Sequence, residues 1–397
     1  MRKKSFVYNS AILIISAMIV KLIGAFFKIP LTNILGGNGM AYFSCAYSIF
    51  MPVYAISVTG LPVAVAKLVS ESNAKNDYYG ISEIKSVSIR LFSTIGFIFT
   101  IIVILLSYPF CKYIANLTFA WPSVVMIAPT IIISCIISVY RGYYEGLNDM
   151  YPTAISQIIE SVVKIISGLL FSYKSFEFLN NNPETVKNIA DFFNILSSES
   201  EIIYSVASAA AITGITLSSL LGMLFMIFKS KSDKSIIKSI KPTDKKLYKS
   251  LIRIALPVSA GSLVTSLTTL SDLTTITYSI EKIIEKSPDF FAFLNINKSE
   301  TAGFVYGSFT GLAITVFNLV PSVVNMFGKS IFPSISEAKV LNDHNKIKAS
   351  IEKALLTSAF FAIPSGLGIT FLSKEILFAL KLAYGFFIEY VTAFASE

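Results

Sequence analysis

The chain reads as a series of long apolar runs separated by short polar intervals. The runs occupy about 10–34, 42–65, 87–108, 124–140, 152–171, 202–228, 251–280, 301–327 and 349–372. Most approach the roughly 20 residues a helix needs to cross the hydrocarbon core of a bilayer. Backbone polar groups in lipid must be satisfied within the segment, so continuous apolar stretches of this kind predict helices. A tenth run, 376–394, is interrupted by Lys381, Gly385 and Glu389. The pattern predicts an all-α fold, a polytopic membrane bundle of about nine or ten helices. The longest polar interval outside the amino-terminal side, 173–201, is rich in Asn and Ser and reads as a loop.

Composition supports the bilayer as solvent. Apolar residues make up 54% of the 397, charged residues only 14%, and Phe alone occurs 32 times. A soluble protein carries roughly 25% charged residues, and no soluble domain of this size hides that much hydrocarbon. The net charge of +9 does not point to nucleic acid, because the cations sit in the intervals between apolar runs and not on one soluble face. With the amino terminus in the cytoplasm, 22 of the 33 Lys and Arg fall on the cytoplasmic side, 8 on the other, and Lys21, Lys28 and Lys164 lie within runs. This positive-inside bias predicts a multi-pass protein of the cell membrane with a cytoplasmic amino terminus. The most basic interval, 229–249, is read as a topology determinant near anionic lipid headgroups. Arg2, Lys3 and Lys4 before an apolar run resemble a secretory signal, but Lys21 and Lys28 argue against cleavage.

Several chemistries are excluded. Cys45, Cys111 and Cys135 show no metal-ligand spacing, and His344 is the only histidine. A disulfide framework, a zinc site and a histidine triad are therefore not expected. No cofactor is predicted beyond Na+ or H+ as a coupling ion.

Ionisable groups inside apolar runs are the candidate functional residues, since each costs at least a few kcal/mol at mid-bilayer unless it meets water or a partner. Lys21 and Lys28 are two helical turns apart and share a face, which suits an anion; Lys28 could equally snorkel to headgroups. Glu160 and Lys164 stand at i and i+4, with Gln157 one turn earlier, and read either as an internal ion pair or as part of the substrate site. Asp272, among Thr268, Thr269, Ser271 and Thr275, reads as a cation or proton site or as a neutral buried acid. Arg141, Glu145 and Asp149 cluster at a predicted cytoplasmic turn, with Arg141 and Glu145 as gate candidates. Pro52, Pro129, Pro257, Pro321 and Pro364 interrupt runs and predict kinks.

Two strings are alike, Gly60-Leu61-Pro62 through Lys67 and Ile331-Phe332-Pro333 through Lys339. Six runs separate them, which suggests a parallel repeat. The predicted organisation is an amino-terminal six-helix lobe (1–230), a basic cytoplasmic linker (231–250) and a partial second lobe (251–397), shorter than six more helices require.

Lys21-Leu22-Ile23-Gly24-Ala25-Phe26-Phe27-Lys28-Ile29-Pro30-Leu31 resembles the first-helix signature of the stage V sporulation protein B and polysaccharide-biosynthesis flippases. Gly60-Leu61-Pro62 with Ala66-Lys67-Leu68-Val69, Tyr140 through Gly146 with Pro152 through Gln157, Tyr306-Gly307 with Gly311, and Phe332 through Glu337 resemble later signatures in the same order. The family belongs to the multidrug, oligosaccharidyl-lipid and polysaccharide exporter superfamily, which includes the lipid II flippase. The resemblance implies two six-helix lobes around a cavity opening alternately to each side. It implies transport of polyprenyl-pyrophosphate-linked sugars from the inner to the outer leaflet, without covalent chemistry. Lys21 and Lys28 match cationic cavity positions, with lysine where arginine is common, and Asp272 matches an acidic position associated in some relatives with ion coupling. Helices ten to fourteen of the family have no clear counterpart, so the chain reads as carboxy-terminally truncated. The implied partners are a lipid-linked sugar and membrane lipids, not nucleic acid, and the implied state is a monomer. The alternatives are a cation-coupled multidrug exporter, which would want acidic residues among the first helices, and a membrane enzyme acting on lipid-linked sugars, which would need a large external catalytic loop.

Overall fold

The computed structural model describes residues 6–192, 199–232, 245–287, 298–318, 320, 321, 324 and 343–376. Among these there is no strand, and seven helices are long and apolar enough to cross a membrane. The expected all-α membrane bundle is what the chain forms.

Helix α1 (Phe6–Ser57) is two helices joined at Gly36, whose φ of 62° and ψ of −169° leave the helical region. Positive φ of this kind suits a residue without Cβ. The two arms fold back on each other: the Phe27 and Phe43 rings lie 6.4 Å apart, whereas sixteen residues of straight helix would separate them by about 24 Å. The predicted runs 10–34 and 42–65 are thus the two arms of one hairpin, the second continuing after Gly60 into α2 (Leu61–Ala74).

Helix α3 (Tyr78–Pro109) starts at Asp77, whose Oδ1 accepts the Gly80 N–H at 2.8 Å and so satisfies one of the unpaired amides of the first turn. It ends in a π-helical turn (Phe110–Ile114) and a 3-10 turn (Thr118–Ala120). Helices α4 (Trp121–Ile127) and α5 (Pro129–Gly146) follow, with Pro129 as the first residue of α5. Its missing N–H is tolerated at that position. Then come α6 (Tyr151–Asn181), α7 (Pro183–Phe192), α8 (Glu199–Ser232) and α9 (Lys245–Lys286). The described part ends with α10 (Lys298–Ser308), a second π-helical segment (Phe309–Ala313), α11 (Ile314–Phe317) and α12 (His344–Phe371).

Two intervals differ from expectation. Residues 173–201 are not one loop, because α6 runs on to Asn181 and α7 follows. Leu179, Val186 and Ile202 bury against one another there and give the extension its own small core. Lys85, counted among cytoplasmic loop cations, lies inside α3 and is 6% exposed, its Nζ 5.0 Å and 4.6 Å from the Tyr140 and Tyr143 ring centroids. The second repeat string at 331–339, most of the basic linker and nearly all of the run 376–394 lie outside the described residues.

Helix crossings are made by small residues, as expected where lipid removes the hydrophobic drive and close backbone approach must supply the contact. On α6 and α8, Gly168 and Gly214 face each other so closely that a methyl on Gly214 would strike the Gly168 backbone at 2.5 Å. Ser167 Oγ donates to the Gly214 carbonyl at 2.9 Å. Gly142 and Gly146, one helical turn apart on α5, admit the backbone of α2 at Pro62 and Ala66.

Candidate functional site

Four charged side chains meet where α1, α5, α6 and α8 converge. The Arg141 guanidinium on α5 forms an ion pair with Glu160 on α6, Nη2 to Oε1 at 2.7 Å. Arg141 Nε and Nη2 also both donate to Ser156 Oγ at 3.0 Å, and that hydroxyl donates onward to the Thr153 carbonyl at 2.9 Å. Gly222 on α8 makes room for the carboxylate, since a Cβ there would overlap Glu160. One turn along α6, Lys164 Nζ lies 5.0 Å from the centroid of the Phe27 ring on α1, within cation–π range. Lys164 is close enough to Lys28 for the two ammonium groups to repel and to Glu160 for attraction.

Lys28 does not snorkel away from this group. Its Nζ donates to the Thr310 carbonyl at 3.0 Å, in the π-helical segment after α10. Three cations, Lys28, Lys164 and Arg141, face Glu160 and the nearby Glu145, so positive charge stays in excess by one along α1, α5 and α6. Such an arrangement inside apolar helices attracts a polyanion and repels cations.

The sequence-selected residues are distributed as follows. Lys28, Arg141, Glu160 and Lys164 come together. Glu160 pairs with Arg141 rather than with Lys164, because the α5–α6 packing brings the guanidinium against it at 2.7 Å. Arg141 is thereby drawn into the charged group, and Glu145 lies close enough to it for attraction. The backbone of Lys21 lies on the first arm of α1, and its side chain lies outside the described residues. Asp272 is exposed on α9, within electrostatic reach of Tyr306 on α10, and no described contact joins it to the cationic group.

Sequence reasoning gave no role to Ser156, Gly222, Phe27 or Thr310. Phe27 and Ser156 lie inside the strings that carry the family resemblance, and Gly222 carried a local signal, a glycine inside an apolar helical run where close approach is the common reason.

Comparison with known proteins agrees with the motif resemblance. The family described as "Polysaccharide biosynthesis protein" matches residues 6–176. The stage V sporulation protein B of Bacillus subtilis (strain 168) is 24% identical over 359 residues, covering 89% of this chain and 62% of that protein. The lipid II flippase MurJ of the same organism is 22% identical over 381 residues, covering 91% of this chain and 63% of that protein. The chain therefore spans less than two thirds of the length of these relatives. Among solved structures, an inward-facing multidrug-resistance MATE family transporter of the MOP superfamily superposes with a TM-score of 0.68 at 13% identity, covering 91% of this chain and 72% of that one. This likeness is one of fold.

Proposed function

We propose that the protein is a flippase that carries a polyprenyl-diphosphate-linked oligosaccharide or peptidoglycan precursor from the inner to the outer leaflet, and is not an enzyme. The observation that carries this reading is the cationic group of Lys28, Lys164 and Arg141, which outnumbers the carboxylates of Glu160 and Glu145 beside it, on helices that otherwise face lipid or one another. A diphosphate in hydrocarbon is far too costly without cations and water around it. Two ammonium groups on facing helices supply the charge, and Arg141 holds Glu160 so that the carboxylate does not cancel it. The prenyl tail stays in lipid.

With the amino terminus in the cytoplasm, as the Lys and Arg distribution supports, the membrane potential favours outward movement of an anion by about 2.3 kcal/mol per charge per 100 mV. Rocking of the first six-helix lobe against the helices from α9 onward would expose the headgroup to each side in turn. Asp272 is the candidate for Na+ or H+ coupling, and the working unit is a monomer among membrane lipids. The net positive charge disfavours the cationic-drug exporter reading, although the MATE fold is shared.

The test uses purified chain in lipid nanodiscs with farnesyl diphosphate as probe and farnesol as the uncharged control. The diphosphate is expected to bind in preference to the alcohol, and Lys28→Gln and Lys164→Gln are each expected to weaken it about tenfold or more, the range of a lost charge-assisted hydrogen bond. Equal binding of alcohol and diphosphate would reject the reading.

A further inference from the structure

Lys28 is committed twice: it belongs to the cationic group, and it is also the residue through which α1 holds the α10 side of the bundle. Its Nζ donates to the Thr310 carbonyl at 3.0 Å. The Thr310 hydroxyl donates into its own helix, to the Tyr306 and Gly307 carbonyls at 3.0 Å and 3.2 Å. A hydroxyl has one hydrogen and two lone pairs. Ser44 Oγ, on the second arm of α1, lies 2.7 Å from Thr310 Oγ1, and either hydroxyl can donate in this contact. Thr310 is thus hydrogen-bonded to each arm of the α1 hairpin, through its carbonyl to Lys28 and through its hydroxyl to Ser44. It does so in a π-helical segment, where the widened turn departs from the ordinary ladder and functional contacts are frequent.

The surrounding packing concentrates on this junction. A Cβ on Gly311 would lie 2.6 Å from Thr32 Oγ1, and one on Gly307 would overlap the Gly37 carbonyl. At the same end of the bundle, Asn116 Nδ2 donates to Glu281 Oε2 at 3.1 Å, and α9 packs on α10. The α10 segment and α1 pack closely here, so separating them breaks the contacts that Thr310 makes.

We propose that Thr310 and Ser44 are positioning residues for Lys28 and form with it a latch that the anionic substrate releases. In the unliganded protein Lys28 is shared with the Thr310 carbonyl. A diphosphate in the cationic group offers the ammonium a stronger, charged acceptor, draws it off the carbonyl and leaves the Ser44–Thr310 contact alone to hold the end closed. Binding and opening are then coupled through one side chain. This inference rests on the flippase reading for its ligand but not for the existence of the latch.

The experiment uses the full chain with Cys45, Cys111 and Cys135 replaced by Ala, and spin labels on Tyr113→Cys, in the π-helical turn after α3, and Glu285→Cys, near the end of α9, two exposed positions beside the Asn116–Glu281 contact. Inter-label distances are read in nanodiscs with and without farnesyl diphosphate. Thr310→Val and Ser44→Ala each keep Lys28 and remove one side of the hydroxyl contact. Each is expected to raise the long-distance population about two- to tenfold without ligand, the range of one hydrogen bond. The double variant should do no more than either single one. Both single variants should bind farnesyl diphosphate more tightly, since less of the binding free energy goes into opening; damage of a merely structural kind would weaken binding. Unchanged distances in both variants overturn the latch. Failure of every form to prefer the diphosphate over farnesol rejects the flippase reading instead, and the ligand-free distances still decide the latch.

Discussion

Arg141 on α5 and Glu160 on α6 meet at 2.7 Å with only 15% and 22% of their side chains exposed, and the pair is walled by Gly222 of α8. A partly buried pair of this kind is far more sensitive to losing one partner than to losing both. Glu160→Gln or Arg141→Gln is expected to lower stability by about 3 kcal/mol, near the lower bound for buried pairs because some exposure remains. The double variant should lose less than the two single effects combined. Denaturant-induced loss of helical signal in mixed micelles measures this.

The Gly168–Gly214 crossing leaves no space for a methyl. Gly214→Ala is expected to cost about 1–3 kcal/mol through overpacking. Gly261→Ala on α9, where a Cβ meets nothing within 4 Å, should be neutral or stabilising by up to about 1 kcal/mol. Thermal unfolding of the two variants side by side reads the contrast.

Lys85 sits between the Tyr140 and Tyr143 rings, with the Ser230 hydroxyl as a further partner. Replacing the cation by an isosteric apolar chain removes both its attraction and its desolvation cost, whereas removing a ring strands the charge. Lys85→Met is expected to change stability by less than about 1 kcal/mol and Tyr143→Leu to cost about 2 kcal/mol, the value of a desolvated cation–π contact. A reversed order in a melting series would contradict the cage.

Phe27 supports the Lys164 ammonium at 5.0 Å and is itself 1% exposed. Phe27→Leu keeps an apolar side chain but removes the ring face. Farnesyl diphosphate affinity is expected to fall about three- to tenfold, in line with about 1 kcal/mol for such a contact. Titration calorimetry gives the value.

In a full-length relative, alanine at the positions matching Lys21 or Lys28 should abolish complementation of a flippase-deficient strain. Normal growth with both substitutions would remove the cavity argument from the family as well as from this chain.

Much of this was legible in the sequence. The helices announced themselves because hydrocarbon thickness sets a length that only long apolar runs meet, and Lys28 and Lys164 stood out as charges inside such runs. The partner of Glu160 was not legible: i,i+4 spacing favoured Lys164, and only the packing of α5 on α6 brings Arg141 closer. Lys85, just before the run 87–108, was counted only as one of the cytoplasmic-side cations because charge bookkeeping says nothing of packing, whereas two tyrosine rings enclose it. Thr310 was silent for another reason. A threonine in an apolar helix is ordinary, and a π-helical segment leaves no residue pattern to read. The polar stretch after Phe171 was read as a loop on its Asn and Ser content, although Phe176 packs against the main core and Leu179 joins the small core that α6 shares with α7 and α8.

The near contact of Gly168 with Gly214 bears on how such a bundle could change shape. Two backbones that almost touch have no side chains between them to slide or repack, so α6 and α8 behave as one girder over that stretch. Bending is left to places where the helical ladder is already interrupted, among them Pro30, Gly36 and Pro52 in α1, Pro257 in α9 and Pro364 in α12. Pulling on the molecule with a force probe should therefore extract α6 and α8 as one event.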